Sequence, residues 1–177
     1  MSTLRVDNIQ DQGGAERRGL KTYAIINDSK ADNTDGGTFT SGAWRTRDLN
    51  TELTDPDGIV SISSNQFTLG AGSYLIKFSA PAYQANSHQT RLYDVTGTAA
   101  VAVGSAEFAS NAVTAVTNRS FGVARVTISA NNVYEIQHRG AATVATYGLG
   151  IGSAGNMNWG SGTPGTVYTI VEIYKEA

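Results

Sequence analysis

The segment TVYTIVEIYKE, residues 166–176, decides the fold. Side chains of an extended chain alternate between two faces, so Val167, Thr169, Val171 and Ile173 share one face and Tyr168, Ile170, Glu172 and Tyr174 share the other. β-Branched and aromatic residues at nearly every position favour a strand. Both faces are largely apolar or aromatic. One lines a core, and the other needs a second cover, either a partner chain or further structure of the same chain.

Two other segments, SHQTRLYDVTG (87–97) and YEIQHRG (134–140), each read as one strand. The same period of two predicts strands at 23–26, 59–62, 66–69, 73–82, 87–96, 99–109, 119–129 and 133–140. Residues 38–49 alternate around Phe39 and Trp44 and predict one or two strands interrupted at Ser41-Gly42. In 73–82, Leu75 faces away from Ile76 and Phe78, so that strand is expected to be buried on both sides. Turn chemistry separates these segments: Asp55-Pro56-Asp57-Gly58, Gly70-Ala71-Gly72, a polar loop over 27–37 and a glycine-rich loop over 148–165. The expected fold is all-β, a jelly-roll sandwich of about 8–10 antiparallel strands over residues 22–177, preceded by an arm at 1–21.

Length and composition agree. A chain of 177 residues suits one domain, and twenty glycines beside only thirteen lysines and arginines suit short strands and tight turns. A formal charge of −2 with no basic cluster argues against nucleic-acid binding. The absence of cysteine removes disulfides, thiolate ligands and thiol nucleophiles. No secretory signal and no apolar run long enough for a membrane span is apparent, so assembly in a reducing cytoplasm is expected. Within the arm, Leu4, Val6 and Ile9 form a short apolar pattern that nothing nearby in sequence buries. It reads either as an anchoring strand for another chain or as a disordered terminus.

The three strand segments, in this order and spacing, resemble the terminal part of a compact jelly-roll domain of bacteriophage virions, over roughly residues 65–176. That domain is related in architecture to the tumour-necrosis-factor and complement globular-head trimers. The opening STLRVDNIQ, residues 2–10, also resembles the start of many phage structural proteins. The resemblance implies a homotrimer with its last strand in an inner sheet facing neighbouring subunits, and a structural or binding role and not an enzymatic one. Interface candidates are Tyr168, Ile170 and Tyr174 from the last strand, joined by His88, Arg91 and His138 if those lie on the inner sheet. The expected function is a capsid decoration or cement protein attached through the arm. The alternative is a tail-fibre or tail-tip protein recognising a host surface glycan, and the shortness of the arm favours the capsid. Expected partners are a second and third copy, the major capsid protein or another virion protein, and in the alternative a host glycan. The expected location is the virion surface.

Motifs for other chemistry are weak. Gly150 to Gly155 spells G-x-G-x-x-G, but Asn156, Met157, Asn158 and Trp159 follow in place of a helix start, so a dinucleotide is not expected. Asp28, Asp32 and Asp35 lack the spacing of a calcium loop and read as a solvated loop. Only two histidines exist and no nucleophile elbow accompanies them. Glu52, Glu107, Glu135 and Glu172 are scattered over separate segments with nothing pairing them for glycoside hydrolysis. No cofactor and no metal is expected.

Overall fold

A computed structural model of the chain describes residues 22–112, 116–152 and 165–176. Among these residues there are eleven strands and no helix: β1 (Tyr23–Lys30), β2 (Arg45–Thr46), β3 (Thr51–Thr54), β4 (Val60–Ser63), β5 (Gln66–Leu69), β6 (Gly72–Tyr83), β7 (Asn86–Asp94), β8 (Ala99–Ala109), β9 (Thr117–Ile128), β10 (Asn132–Gly140) and β11 (Thr166–Lys175). They form two antiparallel sheets. The first has the order β3-β1-β11-β6-β9 and the second β4-β5-β10-β7-β8, with β2 added to β10. This is the expected all-β sandwich, in jelly-roll order.

Alternation builds the core. Ile26 of β1, Ile76 and Phe78 of β6, and Val171 and Ile173 of β11 face Phe67, Leu69, Leu92 and Ile136 of the second sheet in one buried cluster. A smaller cluster of Phe39, Ala82 and Ala85, with Leu149 against it, closes one end. Gly122 is required where β9 crosses Phe78, because a Cβ there would lie 2.0 Å from the ring. Along one side the sheets are joined by side chains: the Ser120 hydroxyl donates to the Ser105 carbonyl at 2.6 Å, and Ser105 Oγ accepts from the Phe121 amide at 3.1 Å. The turn at Asp55–Gly58 forms as expected, with Gly58 at a φ of 63° and the Asp55 carboxylate accepting from the amides of Ile59 and Val60.

Three expectations are corrected. Residues 27–30 belong to β1 and not to a loop, because pairing of Asn27 with Ile170 and of Lys30 with Thr166 carries the strand through this polar sequence. The alternation over 38–49 yields only the two-residue β2 and an isolated bridge between Phe39 and Val144. Strand β6 is buried on both faces only in its second half; Lys77 is exposed and Leu75 half-buried. Strand β3, whose sequence TELT is short and polar, was not anticipated; its hydrogen bonds to β1 define it.

Candidate functional site

Strand β11 is central in its sheet, between β1 and β6. Its first face is the core face: Thr169, Val171 and Ile173 are fully buried, whereas Val167 at the strand end is 40% exposed. Its second face splits. Tyr168 is buried inside the protomer, with its hydroxyl donating to the Thr34 carbonyl at 2.5 Å and Gly150 closing over its ring. Tyr168 is therefore removed from the interface candidates. Ile170, Glu172 and Tyr174 stay half-buried and open to a partner.

Register extends this open face across the sheet, since residues opposed across an antiparallel pair present side chains to the same face. Tyr174 pairs with Tyr23 and Leu75, Glu172 with Ile25 and Lys77, and Ile170 with Ser79. On the next strand, Val123 opposes Lys77 and Phe121 opposes Ser79. Phe121 and Val123 are each 59% exposed, the most apolar part of the surface on β9. The polar centre is satisfied internally: the Tyr174 hydroxyl donates to Glu172 at 2.7 Å, and Lys77 lies 3.9 Å from the same carboxylate oxygen. That hydrogen bond, ahead of burial, raises the Tyr174 pKa. Phe121 and Val123 were missed in the sequence. Their signal was the alternation of two large apolar residues with Gly122 and Ala124, which puts bulk on the outer face and small residues toward the core.

The remaining interface candidates are placed elsewhere. His88 on β7 and His138 on β10 lie in the second sheet, not beside β11. Both rings are buried within the protomer, and His88 Nδ1 meets His138 Nε2 at 2.9 Å. Burial pushes His88 down to about 4, with Glu107 opposing and Arg47 adding to the shift. Burial, then Arg47 and His88, hold His138 well below the ordinary histidine range. A ring enclosed in one protomer offers nothing to a partner chain, which withdraws His88 and His138 from the interface. Arg91 lies on the outer face of the second sheet, with its guanidinium over Trp44 at 4.3 Å and Tyr93 at 4.8 Å and its Nε donating to Gln137 at 2.7 Å. It too is remote from β11.

A buried arginine, Arg47, went unnoticed in the sequence because nothing in its neighbourhood marks it as internal. Its Nε donates to Thr169 Oγ1 at 3.1 Å and its other nitrogens to the carbonyls of Pro81 (3.3 Å) and Leu149 (2.7 Å). Burial lowers its pKa to about 10 against the pull of Asp28 and Asp48. It pins the chain at Leu149 and strand β6 to β11. Asp28, expected in a solvated loop, is buried and paired with Lys30 at 3.2 Å, and Lys30 also reaches Asp48 at 2.8 Å. Burial raises the Asp28 pKa, opposed by Lys30. Asp32 is exposed, and Asp35 accepts from the Gly152 amide at 2.8 Å. Among the described residues no three histidine or carboxylate side chains gather as metal ligands.

Of the G-x-G-x-x-G stretch, Gly150 to Gly152 do not directly follow a strand, and Ser153 to Gly155 lie outside the described residues. The four glutamates sit on β3, β8, β10 and β11, spread over both sheets. No described helix is long and apolar enough to cross a membrane. Leu4, Val6 and Ile9 lie outside the described residues.

No protein-family model matches the sequence, and no curated protein matches it. Solved structures do match. The globular domain of zebrafish complement 1qA protein superposes with a TM-score of 0.53 at 16% identity, over 89% of this chain and 98% of that one. Murine APRIL gives a TM-score of 0.48 at 6% identity, over 86% of this chain and 98% of that one. With the strand order above, the first of these likenesses establishes the fold as a jelly-roll sandwich of the complement-globular-domain type.

Proposed function

We propose that the chain is a non-enzymatic, homotrimeric structural module of a bacteriophage virion surface, a capsid decoration or cement protein attached through residues 1–21. The observation that carries the trimer is the open face of the first sheet, where Leu75, Phe121, Val123, Ile170 and Tyr174 remain at least partly accessible. Each Å² of apolar surface removed from water there contributes about 25 cal/mol. A second apolar surface lies on the same protomer. Edge strand β8 exposes Val101 and Val103, 37% and 58% accessible, beside β9. An apolar edge strand left open invites uncontrolled pairing. Packing the β8–β9 edge of one protomer on the β11–β1 face of the next is a head-to-tail contact, which a rotation closes into a ring. Because Lys77, Glu172 and Tyr174 already satisfy one another, covering them strands no unpaired charge.

The virion address is supported by the resemblance of residues 2–10 and of the three strand segments to phage structural proteins, and Leu4, Val6 and Ile9 are proposed as the apolar contacts of the arm. The alternative address is a tail fibre or tail tip. Sedimentation equilibrium of the full chain tests the assembly: a species of three times 18.6 kDa is expected, and a stable monomer sinks the reading. Imaging of labelled protein on particles tests the address. Many copies over the head support decoration, a few at the tail support the alternative, and none on the particle removes both.

A further inference from the structure

One end of the sandwich is covered by a strap of chain, residues 38–46, that few interactions hold. It gives the two-residue β2 to the edge of β10 and forms one isolated bridge, in which the amides of Phe39 and Val144 donate to each other's carbonyls at 2.8 and 2.9 Å. Ser41 adds hydrogen bonds of 3.0 Å to Thr143. From Thr40 to Thr46 every side chain is exposed or half-buried, and the strap ends at Arg47, which is pinned to Thr169, Pro81 and Leu149. Its one buried side chain, Phe39, packs with Ala82, Ala85 and Leu149 in the small cluster and not in the main core. A segment joined to the rest by so little can open on its own while the core stays closed.

The histidine pair lies against Phe39. The Phe39 and His138 rings are 4.8 Å apart between centroids, and His138 and His88 are 5.0 Å apart. Contact between the histidines uses one nitrogen of each ring, and the other two, His88 Nε2 and His138 Nδ1, are buried without a partner among the described residues. We propose that this pair makes the strap acid-releasable, so that protonation of the imidazoles opens residues 38–46 while the two sheets stay folded. An imidazolium donates from both nitrogens. One proton added to the pair therefore creates a further buried N–H, and two would set N–H against N–H across the 2.9 Å contact. Water satisfies such donors, and lifting Phe39 off His138 admits it at the expense of the small cluster alone.

The charged surroundings of the pair agree with release. Arg47, at the end of the strap, opposes a proton on both rings, and Arg119 on β9 acts in turn on Arg47. Glu107 on β8, opposite His88, favours a proton there. Arg45 opposes His138 across β2 and β10 but is exposed, with its Nε donating to the Thr40 carbonyl at 3.4 Å. Tyr83 of β6 and Tyr147 stack edge-on against each other at 5.2 Å, and residues 141–149 hold no charged side chain. In the closed fold burial holds His88 down to about 4. Hydrated, it returns toward its ordinary value of 6.5, so between these two values each proton taken up favours the open strap. The open face of β11 belongs to the other sheet, so the proposal stands for a monomer or a trimer and for either address on the particle.

The test is native-state hydrogen exchange of the full chain between pH ~6.5 and ~4.5, read by mass spectrometry and corrected for the intrinsic pH dependence of exchange. Peptides over residues 38–46, where the amides of Phe39 and Ser41 are hydrogen-bonded, are compared with peptides over β6. The strap is expected to be less protected than β6 at every pH and to exchange through an opening that dilute urea leaves unchanged. Its protection should fall about tenfold or more over this range. In His88→Gln/His138→Gln the strap should keep a protection that does not vary with pH. Strap protection that merges with that of β6, or that stays constant with pH in the native chain, overturns the proposal, as does an equal pH dependence in the variant. The first two of these outcomes are read on the native chain alone, so the test stands even if the double variant does not fold.

Discussion

Lowering the pH from neutral toward 4 perturbs the buried histidine pair, and the size of the effect follows from its surroundings. The His88 ring belongs near 6.5 in the unfolded chain and is pushed down to about 4 in the fold, chiefly by burial. A group whose pKa falls on folding takes up its proton more readily when unfolded. Its contribution is therefore complete above about 6.5 and is lost as the pH drops toward 4. The slope is about 1.4 kcal/mol per pH unit, and the loss from His88 alone approaches about 3 kcal/mol. His138 shifts in the same direction. A proton on one ring repels a second at 2.9 Å, so the two contributions do not add in full. Two charged neighbours act on the pair: Glu107 favours protonation of His88, and Arg47 opposes it at both rings. Asp28 has the opposite sign, since its pKa is raised by burial and it gains stability as the pH falls toward 3.8. The assay is urea unfolding at fixed protein concentration at several pH values, comparing the native chain with His88→Gln/His138→Gln. The native chain is expected to lose stability steeply below pH ~6.5 and the variant to lose much less. Ring-proton NMR of the native chain is the independent check. Either histidine titrating near 6.5, or equal acid dependence in the two proteins, refutes the reasoning.

Three further outcomes are expected. Arg47→Met leaves the Thr169 hydroxyl and the carbonyls of Pro81 and Leu149 without their donor, and should cost about 3 kcal/mol; an unchanged urea midpoint would count against the role given to Arg47. Gly122→Ala forces a Cβ into the Phe78 ring and should destabilise by about 1–3 kcal/mol, with partial recovery when Phe78→Leu is added; calorimetry of the single and double variants decides it. Phe121→Asp/Val123→Asp should yield a folded monomer with an unaltered circular-dichroism spectrum, because both side chains are exposed in the protomer. A variant that sediments as a trimer would place the interface elsewhere.

Local pattern was enough for the strands. Period-two alternation located β4 to β11 within a few residues, and the Asp55-Pro56-Asp57-Gly58 turn announced itself through residues that tolerate its dihedral angles. The two apolar faces of TVYTIVEIYKE were legible because alternation is a property of the backbone alone. Which of those faces stays open was not legible. Tyr168 and Ile170 share a parity, yet Gly150 and Thr34, distant in sequence, close over the first and leave the second accessible.

The same limit explains the histidines. His88 and His138 carry the composition of an exposed polar pair, and only the meeting of β7 with β10 in the second sheet buries them against each other. Charge burial is likewise a tertiary matter: Arg47 and Asp28 look solvated in sequence because the carbonyls, hydroxyl and lysine that satisfy them are supplied by other segments or only by the strand geometry. The sequence by itself thus determined an all-β chain, most of its strands and the two-faced character of the last one. The packing of the two sheets decided which face a partner can reach and which polar groups are internal. Side-chain direction is set residue by residue along the backbone, whereas what covers a side chain depends on contacts far apart in the chain.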